Sequence, residues 1–337
     1  MRGLRNSLVA AAALLAMASA ATAPAQAEWK PTKPITIIVP WSAGGSTDQV
    51  TRVVAGELSE ALGQNVVVVN QPGASGSIGT KNALEAAKDG YTWTAGAAQD
   101  LGSYIVLGML DTKITDWHLF LDVANVSVVG VNPDAPYKNF GELLDAMKAK
   151  PGQVSVATAG MASAGHNAME SIAAATGVKY KHVTYDGGNP AVIATVAGET
   201  QVTTQLAVEQ AEMIRAKRIR PLAVLSDTPL ELAGYGTIEP IIKWLPDYNV
   251  VGNYFGIWTP KGAPADVIET MGKVWAEKIG KSEALKKYAA DRGALFAPYH
   301  GEEAHKRVLP AVQAFSWLMY DRGKAKVSPD TVGIPRP

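Results

Sequence analysis

The chain contains no cysteine. That excludes disulfides, thiolate metal sites, a cysteine nucleophile and a lipid-modified N-terminal cysteine. Charge of neither sign is in surplus, since 31 Lys and Arg stand against 31 Asp and Glu. On that balance neither nucleic acid nor an anionic membrane is expected as a partner. Beyond residue 27 no run approaches the ~20 apolar residues that a spanning helix takes. Nucleotide signatures are missing too. Gly73, Gly76 and Gly79 do not have the spacing of the dinucleotide fingerprint, and no Gly-Lys-Ser/Thr of a phosphate-binding loop occurs. His118, His182, His300 and His305 have no zinc spacing and read as surface or packing residues, so no metal and no cofactor is expected.

What is present begins with the first residues. Met1, Arg2 and Arg5 make a positive start, 8–21 is an uncharged run rich in Ala and Leu, and Ala25-Gln26-Ala27 is a small-x-small site. This three-part pattern predicts a secretory signal peptide over 1–27, cleaved before Glu28, and export to the periplasm. A membrane anchor is the alternative, but the run is short for one and Ala is weakly apolar. Loss of Arg2 and Arg5 would leave 29 basic against 31 acidic residues. An exported chain with neither disulfide nor lipid anchor must rely on a large core. About 310 residues remain, enough for one large or two medium domains.

Short β-branched runs alternate with helical patterns, which argues for α/β layers around parallel sheets. The residues 35–39 read as a strand, 40–48 as a loop, and Val50, Val53, Val54, Leu58 and Leu62 as one helix face stopped by Gly63. A second strand is expected at 66–69. Further strands are expected at 154–158, 179–185, 201–206 and 220–225, and a helix from about 166 to 176. Asn189 is expected as an N-cap with Pro190 opening the next helix. Val267, Ile268, Met271, Val274, Trp275 and Ile279 form an apolar stripe. Two apolar segments, 126–131 and 250–258, read as crossings between domains. They predict one discontinuous lobe of 28–126 plus 253–337 and a second lobe of 127–252.

The strand-to-helix loops are where chemistry is expected, because ligands of open α/β sheets bind beyond the carboxyl ends of the strands. Gly44-Gly45-Ser46-Thr47 brings backbone N–H groups and two hydroxyls to a helix N-terminus, a setting for an anion. The loops around Thr158 to Ser163 and around Gly187 and Gly188 have the same form. No Lys or Arg occurs in 53–80, 152–178 or 182–214, so an anion there would be held by neutral amides and hydroxyls, or through water. Capping and tight turns explain each loop equally well when it is taken alone. Trp41, inside the first loop, either lines the site or staples the following helix. Ser163 with His166 invites a hydrolase reading, but Gly160-Met161-Ala162-Ser163 misses the Gly-x-Ser-x-Gly elbow by one residue.

A wider pattern runs through the chain: Lys33-Pro34-Ile35, Gly44 to Asp48, Leu62-Gly63-Gln64, Val69-Asn70-Gln71-Pro72-Gly73, and Lys88-Asp89-Gly90-Tyr91-Thr92. It continues through Thr158-Ala159-Gly160, His166, Val183 to Gly188, Gly198-Glu199-Thr200, Arg220 to Val224 and Pro260-Lys261-Gly262-Ala263-Pro264. In this the chain resembles the Bug family, the substrate-binding proteins of tripartite tricarboxylate transporters. The resemblance implies an α/β, two-lobed periplasmic-binding-protein fold of type II, a Venus flytrap with the ligand between the lobes. It implies a monomer that captures a small carboxylate and delivers it to integral-membrane permease subunits. A stand-alone sensory receptor, or a hydrolase on the same fold, is the alternative.

By position, the resemblance makes Trp41, Ser42, Gly44, Gly45, Ser46 and Thr47 one wall of the site. Thr158, Ser163 and His166 make another, Tyr185, Gly187 and Gly188 the inner end, and Gln99 and Gln205 join them. Two departures bear on the ligand. Trp41 stands where relatives commonly have Phe. Gln201 and Gln205 stand where many have acidic residues, which points to a dicarboxylate without an amine.

Overall fold

The computed structural model describes residues 28–337, so the leader expected at 1–27 lies outside the described residues. The β-branched run bracketed by Pro34 and Pro40 forms β1 (Ile35–Val39), buried at every position but Thr36. A parallel strand covered on both faces needs such an unbroken apolar run. It feeds α1 (Ser46–Leu62), which ends where Gly63 takes the left-handed conformation at φ 63°. Next come β2 (Val66–Asn70), α2 (Ser77–Glu85), β3 (Thr92–Ala97), α3 (Ala98–Val106) and β4 (Trp117–Asn125). β2 and β3 flank β1, both parallel to it.

At Asn125 the chain leaves this sheet, and β5 (Val128–Val131) belongs to a second one. There follow α4 (Phe140–Ala149), β6 (Ser155–Thr158), α5 (Ala164–Thr176), β7 (Lys181–Thr184), α6 (Gly188–Val196), β8 (Val202–Thr203), α7 (Ala207–Arg215) and β9 (Arg220–Val224). The order is β7-β6-β8-β5-β9. β6 runs parallel to β7 and β8, whereas β5 runs antiparallel to β8 and β9.

After a short hairpin of β10 (Leu230–Leu232) and β11 (Gly236–Ile238), β12 (Asn253–Pro260) returns to the first sheet. It inserts between β3 and β4, antiparallel to both. Then come α8 (Ala265–Glu277), α9 (Glu283–Arg292), β13 (Leu295–Phe296) and α10 (Gly301–Asp321). The larger sheet thus has the order β13-β4-β12-β3-β1-β2.

Each sheet is covered on both faces. Ile35, Ile37 and Val39 pack on Val50, Val54 and Leu58 of α1 and on Met271 and Trp275 of α8. The opposite face buries Leu119, Leu121 and Trp258 under Ala304 and Val308 of α10. In the second sheet Val129 and Val131 lie under Phe140 and Met147 of α4 and Met169 and Ile172 of α5. Its other face packs on Val192 of α6 and on Ala211 and Ile214 of α7. The α8 stripe behaves as its spacing requires: Val267, Met271 and Trp275 are fully buried, each contributing about 1.5–3 kcal/mol.

Two local expectations need correction. The strand expected over 201–206 shrinks to β8, because Leu206 makes only an isolated bridge to Ser127 and then serves as the N-cap of α7. α6 starts earlier than expected. Gly187 is its N-cap, so Asn189 and Pro190 lie within the first turn. Gly187 is extended there, at φ 166° and ψ 167°, the backbone shape an N-cap takes, so the helix opens ahead of the residues better suited to capping.

Candidate functional site

The loops at the carboxyl ends of β1, β6 and β7 meet at one cavity between the sheets. Trp41, Gly45, Ser46 and Thr47 face Ala159, Ser163, Gly188, Gln205 and Glu209, while Ala97, Asp100 and Phe255 form the floor. The space left is about 30 Å3, room for a water or two. Beside it lies a wider cleft of about 670 Å3 lined by Ser42, Ser75, Gly160, Thr184, Tyr185 and Asp186.

The structure distributes the candidate residues unevenly. Trp41, Gly45, Ser46, Thr47, Ser163, Gly188 and Gln205 come together on the cavity. Trp41 also belongs to the core beneath α1, and its ring covers Gly76 so closely that a Cβ there would lie 2.9 Å from it. Lining the site and packing on the helix are therefore the same placement.

Ser42 and Tyr185 lie on the wider cleft. The N–H and hydroxyl of Ser42 both donate to the Asp186 carbonyl, at 3.1 and 2.8 Å, stitching the two loops together. A Cβ at Gly187 would lie 3.0 Å from the Ser42 Cβ. Gly44, at φ 79°, packs against Asn189 of α6.

Gly44 and Gly187 line neither the cavity nor the cleft, and nor do three further candidates. Gln99 is 1% exposed in the first turn of α3, with neither amide atom partnered among the described residues. The Thr158 hydroxyl lies 2.6 Å from His182 Nε2. His166 is fully buried, and its ring stacks on His182 at 4.5 Å. Its Nδ1 carries the proton, since it lies 2.7 Å from the Met161 carbonyl, which can only accept. Its Nε2 then accepts from Lys324 at 3.4 Å. Burial, then the charges of His182 and Lys324, hold His166 down at about 3, so the ring is neutral. The Ser163 hydroxyl donates to the Gly160 carbonyl and accepts from the His166 backbone N–H, which caps α5. With both ring nitrogens of His166 engaged elsewhere, no nucleophile–base pair exists here.

Two carboxyls are the residues that sequence reasoning missed. Glu209, on the first turn of α7, reaches across the cleft so that its Oε1 accepts from the Ser46 N–H at 3.1 Å. Its Oε2 accepts from the Leu206 N–H at 3.2 Å and, with the Gln205 amide turned to suit, from Gln205 Nε2 at 2.9 Å. In that orientation the Gln205 oxygen accepts from the Ala159 N–H at 2.7 Å. Gly188 has to be glycine for this, because a Cβ there would collide with Glu209 Oε1.

Two of the N–H groups expected to be free for an anion are thus engaged by the chain itself, that of Gly44 by Asp48 Oδ2 and that of Ser46 by Glu209. Burial raises Glu209, only partly offset by the Ser46 and Leu206 donors. Asp100, 4% exposed, has no partner for Oδ1 among the described residues, and burial pushes it well up. No Lys or Arg lines the cavity among the described residues.

Glu209 was legible as a helix-capping residue three places after Leu206, but not as a cleft residue. Asp100 gave no signal, because α3 follows β3 without an intervening glycine loop.

Solved structures share this architecture. A protein described as a periplasmic transporter superposes with a TM-score of 0.79 at 28% identity, covering 87% of this chain and 98% of its own. The periplasmic binding protein BugD superposes with a TM-score of 0.79 at 24% identity, over 88% and 99%. The fold is therefore that of the two-lobed α/β periplasmic binding proteins. In sequence, residues 50–305 match the tripartite tricarboxylate transporter family receptor, TctC. BugT of Bordetella pertussis is 30% identical over 276 residues, 80% of this chain and 83% of that protein. A UPF0065 protein of Pseudomonas sp. strain P51 is 33% identical over 268 residues, 78% and 79%. The chain belongs to the TctC family of tripartite tricarboxylate transporter receptors, which are solute-binding proteins and not enzymes.

Proposed function

We propose that this protein, cleaved after Ala27 and released into the periplasm as a monomer, captures a small carboxylate between two lobes and hands it to the membrane subunits of a tripartite tricarboxylate transporter. The lobes in this reading are 28–126 plus 253–337, and 127–252. The observation that carries it is the cavity where loops of both sheets converge, joined across the cleft by Ser46 to Glu209 and Ser42 to Asp186. Family membership supports the transport role. Structures on the same fold were solved with adipate and with bound malate, both in Rhodopseudomonas palustris proteins.

A cavity of about 30 Å3 cannot hold a molecule of several carbons, so the lobes part before the ligand enters. Hinge motion about the two crossings serves that purpose. A thermal-shift screen of organic acids tests the binding. A ligand at a hundredfold excess over its Kd should raise stability by about 2.7 kcal/mol. Loss of uptake on deleting the permease would separate transport from stand-alone sensing. No shift with any acid, or turnover of the acid that binds, would overturn the reading.

A further inference from the structure

A second cavity, of about 50 Å3, lies where the chain crosses between the two sheets. Both crossings line it: Asn125 and Ser127 on the way out of the larger sheet, Tyr248 and Asn253 on the way back, with Ser171 of α5 and Phe315 of α10 beside them. Asn125 and Asn253 are partners in the ladder of β4 and β12, so their side chains leave the sheet on one face. Asn125 is 3% exposed, yet neither atom of its amide has a partner among the described residues. Oδ1 of Asn253, 8% exposed, has none either. Buried amides normally find their hydrogen bonds, so three unmatched atoms in one cavity mark a place where something else supplies them.

This cavity adjoins a groove of about 410 Å3 between α5 and α10, the two sharing Ser171, Tyr248 and Phe315. The groove adds Ala174, Trp317 and Leu318 as apolar walls. Its cation, Arg336, is held by Asp321 through two hydrogen bonds of 3.0 and 2.9 Å, and its other charged side chain is Asp247, so nothing there favours an anion. The inner end offers amides and hydroxyls without charge. It selects a neutral group that both donates and accepts, as a primary carboxamide does and a ketone does not. We propose that cavity and groove form a second ligand site for a small neutral carboxamide, its head group on Asn125 and its apolar body in the groove. The site is separate from the one between the loops and does not depend on the carboxylate reading. Both crossings and helices of both sheets build its walls, so the site changes shape when the lobes move and its occupant biases that motion.

The test is a ligand-observed NMR titration of the protein with benzamide and with acetophenone, which has the same shape and lacks the N–H donors. Benzamide is expected to bind saturably, and about threefold or more tighter than acetophenone, the worth of one neutral hydrogen bond. Asn125→Leu should make the two probes equal. Because Asn125 stands at a crossing, Ser171→Trp gives an independent arm: it lies on α5 where cavity meets groove and should block both probes at an unchanged melting temperature. No saturable binding of benzamide to the wild type would overturn the proposal. So would equal affinity for acetophenone, a preference that survives Asn125→Leu, or undiminished binding in Ser171→Trp. At saturating benzamide, small-angle scattering should show a changed radius of gyration, and an unchanged one would overturn the effect on lobe motion.

Discussion

Lys324 Nζ lies 2.5 Å from Glu170 Oε1, tying the segment after α10 to the middle of α5. Arg322 Nε adds a second contact at 3.1 Å, and the Tyr180 hydroxyl donates to the same carboxylate. Glu170 is 1% exposed, whereas both cations remain about a third exposed. Burial pushes Glu170 up, but the hydrogen bonds from Lys324 and Tyr180 and the Lys324 charge outweigh it and hold the carboxyl at about 2. Glu170→Gln should therefore cost about 2 kcal/mol, near the worth of a charged hydrogen bond, since the cations can rehydrate. A urea titration reads this as a lower midpoint at an unchanged slope.

The same cluster sets a response to acid. His166 is held down at about 3, and His182 at about 4 by burial and then the Lys324 charge. An unfolded histidine takes its proton near pH ~6.5. Between there and the folded values the unfolded chain binds more protons, so stability is full above about pH 6.5 and falls as pH drops. Each such histidine contributes up to about 1.4 kcal/mol per pH unit. Glu170 extends the loss from its unfolded value down to about 2, while Asp100 and Glu209, both raised, act with the opposite sign. The expected outcome is a difference: His166→Gln should melt less steeply with falling pH than the wild type between pH 6.5 and 4. Parallel curves would count against a neutral buried His166.

Gly188 and Gly45 make a matched pair beside Glu209. A Cβ at Gly188 would run into the carboxylate, but one at Gly45 would sit 3.5 Å away, an ordinary contact. Gly188→Ala should displace Glu209 from the first turn of α1 and weaken ligand binding tenfold or more. Gly45→Ala should change it only a few-fold. Equal effects in calorimetry would mean that Glu209 does not organise the cavity.

A second pair separates backbone strain from packing. A methyl group added at Gly63, where φ is 63°, would have nothing within 4 Å of it. Gly63→Ala should therefore cost about 1–2 kcal/mol for the left-handed conformation alone. Gly76, at φ 87°, would bring its Cβ within 2.5 Å of the Tyr104 hydroxyl and 2.9 Å of the Trp41 ring. Gly76→Ala should cost about 1–3 kcal/mol more. It should also shift tryptophan emission, because Trp41 must move to admit the methyl group.

Local chemistry made much of the fold legible. Pro34 and Pro40 bound β1, Gly63 ends α1, and the stripe from Val267 to Ile279 lies against the larger sheet. These features depend on near neighbours in the chain. The insertion of β12 between β3 and β4 depends on pairing across more than a hundred residues, and no periodicity encodes it. The site divides the same way. Ser46, Thr47, Ser163 and Gly188 sit at loop ends where turn residues mark them, so pattern reading found them. Glu209 and Asp100 belong to the cavity only because two separate sheets face each other. His166 lies in the first turn of α5, which Ser163 caps, but turns to Met161 and Lys324, since helical geometry carries its ring to another face.

The position of β12 also has a consequence for the order in which the molecule can be made. Strands β5 to β9 are contiguous in the chain, so the smaller sheet can be complete as soon as its last residue leaves the ribosome. The larger sheet cannot, because β3 and β4 face a missing neighbour until Asn253–Pro260 has been synthesised. During that interval two strand edges lie unpaired, the condition under which chains associate wrongly. Phe255, on the floor of the cavity, arrives with the strand that closes the gap. Nascent chains stalled before residue 253 therefore carry a finished Glu209 side with no completed partner to receive it.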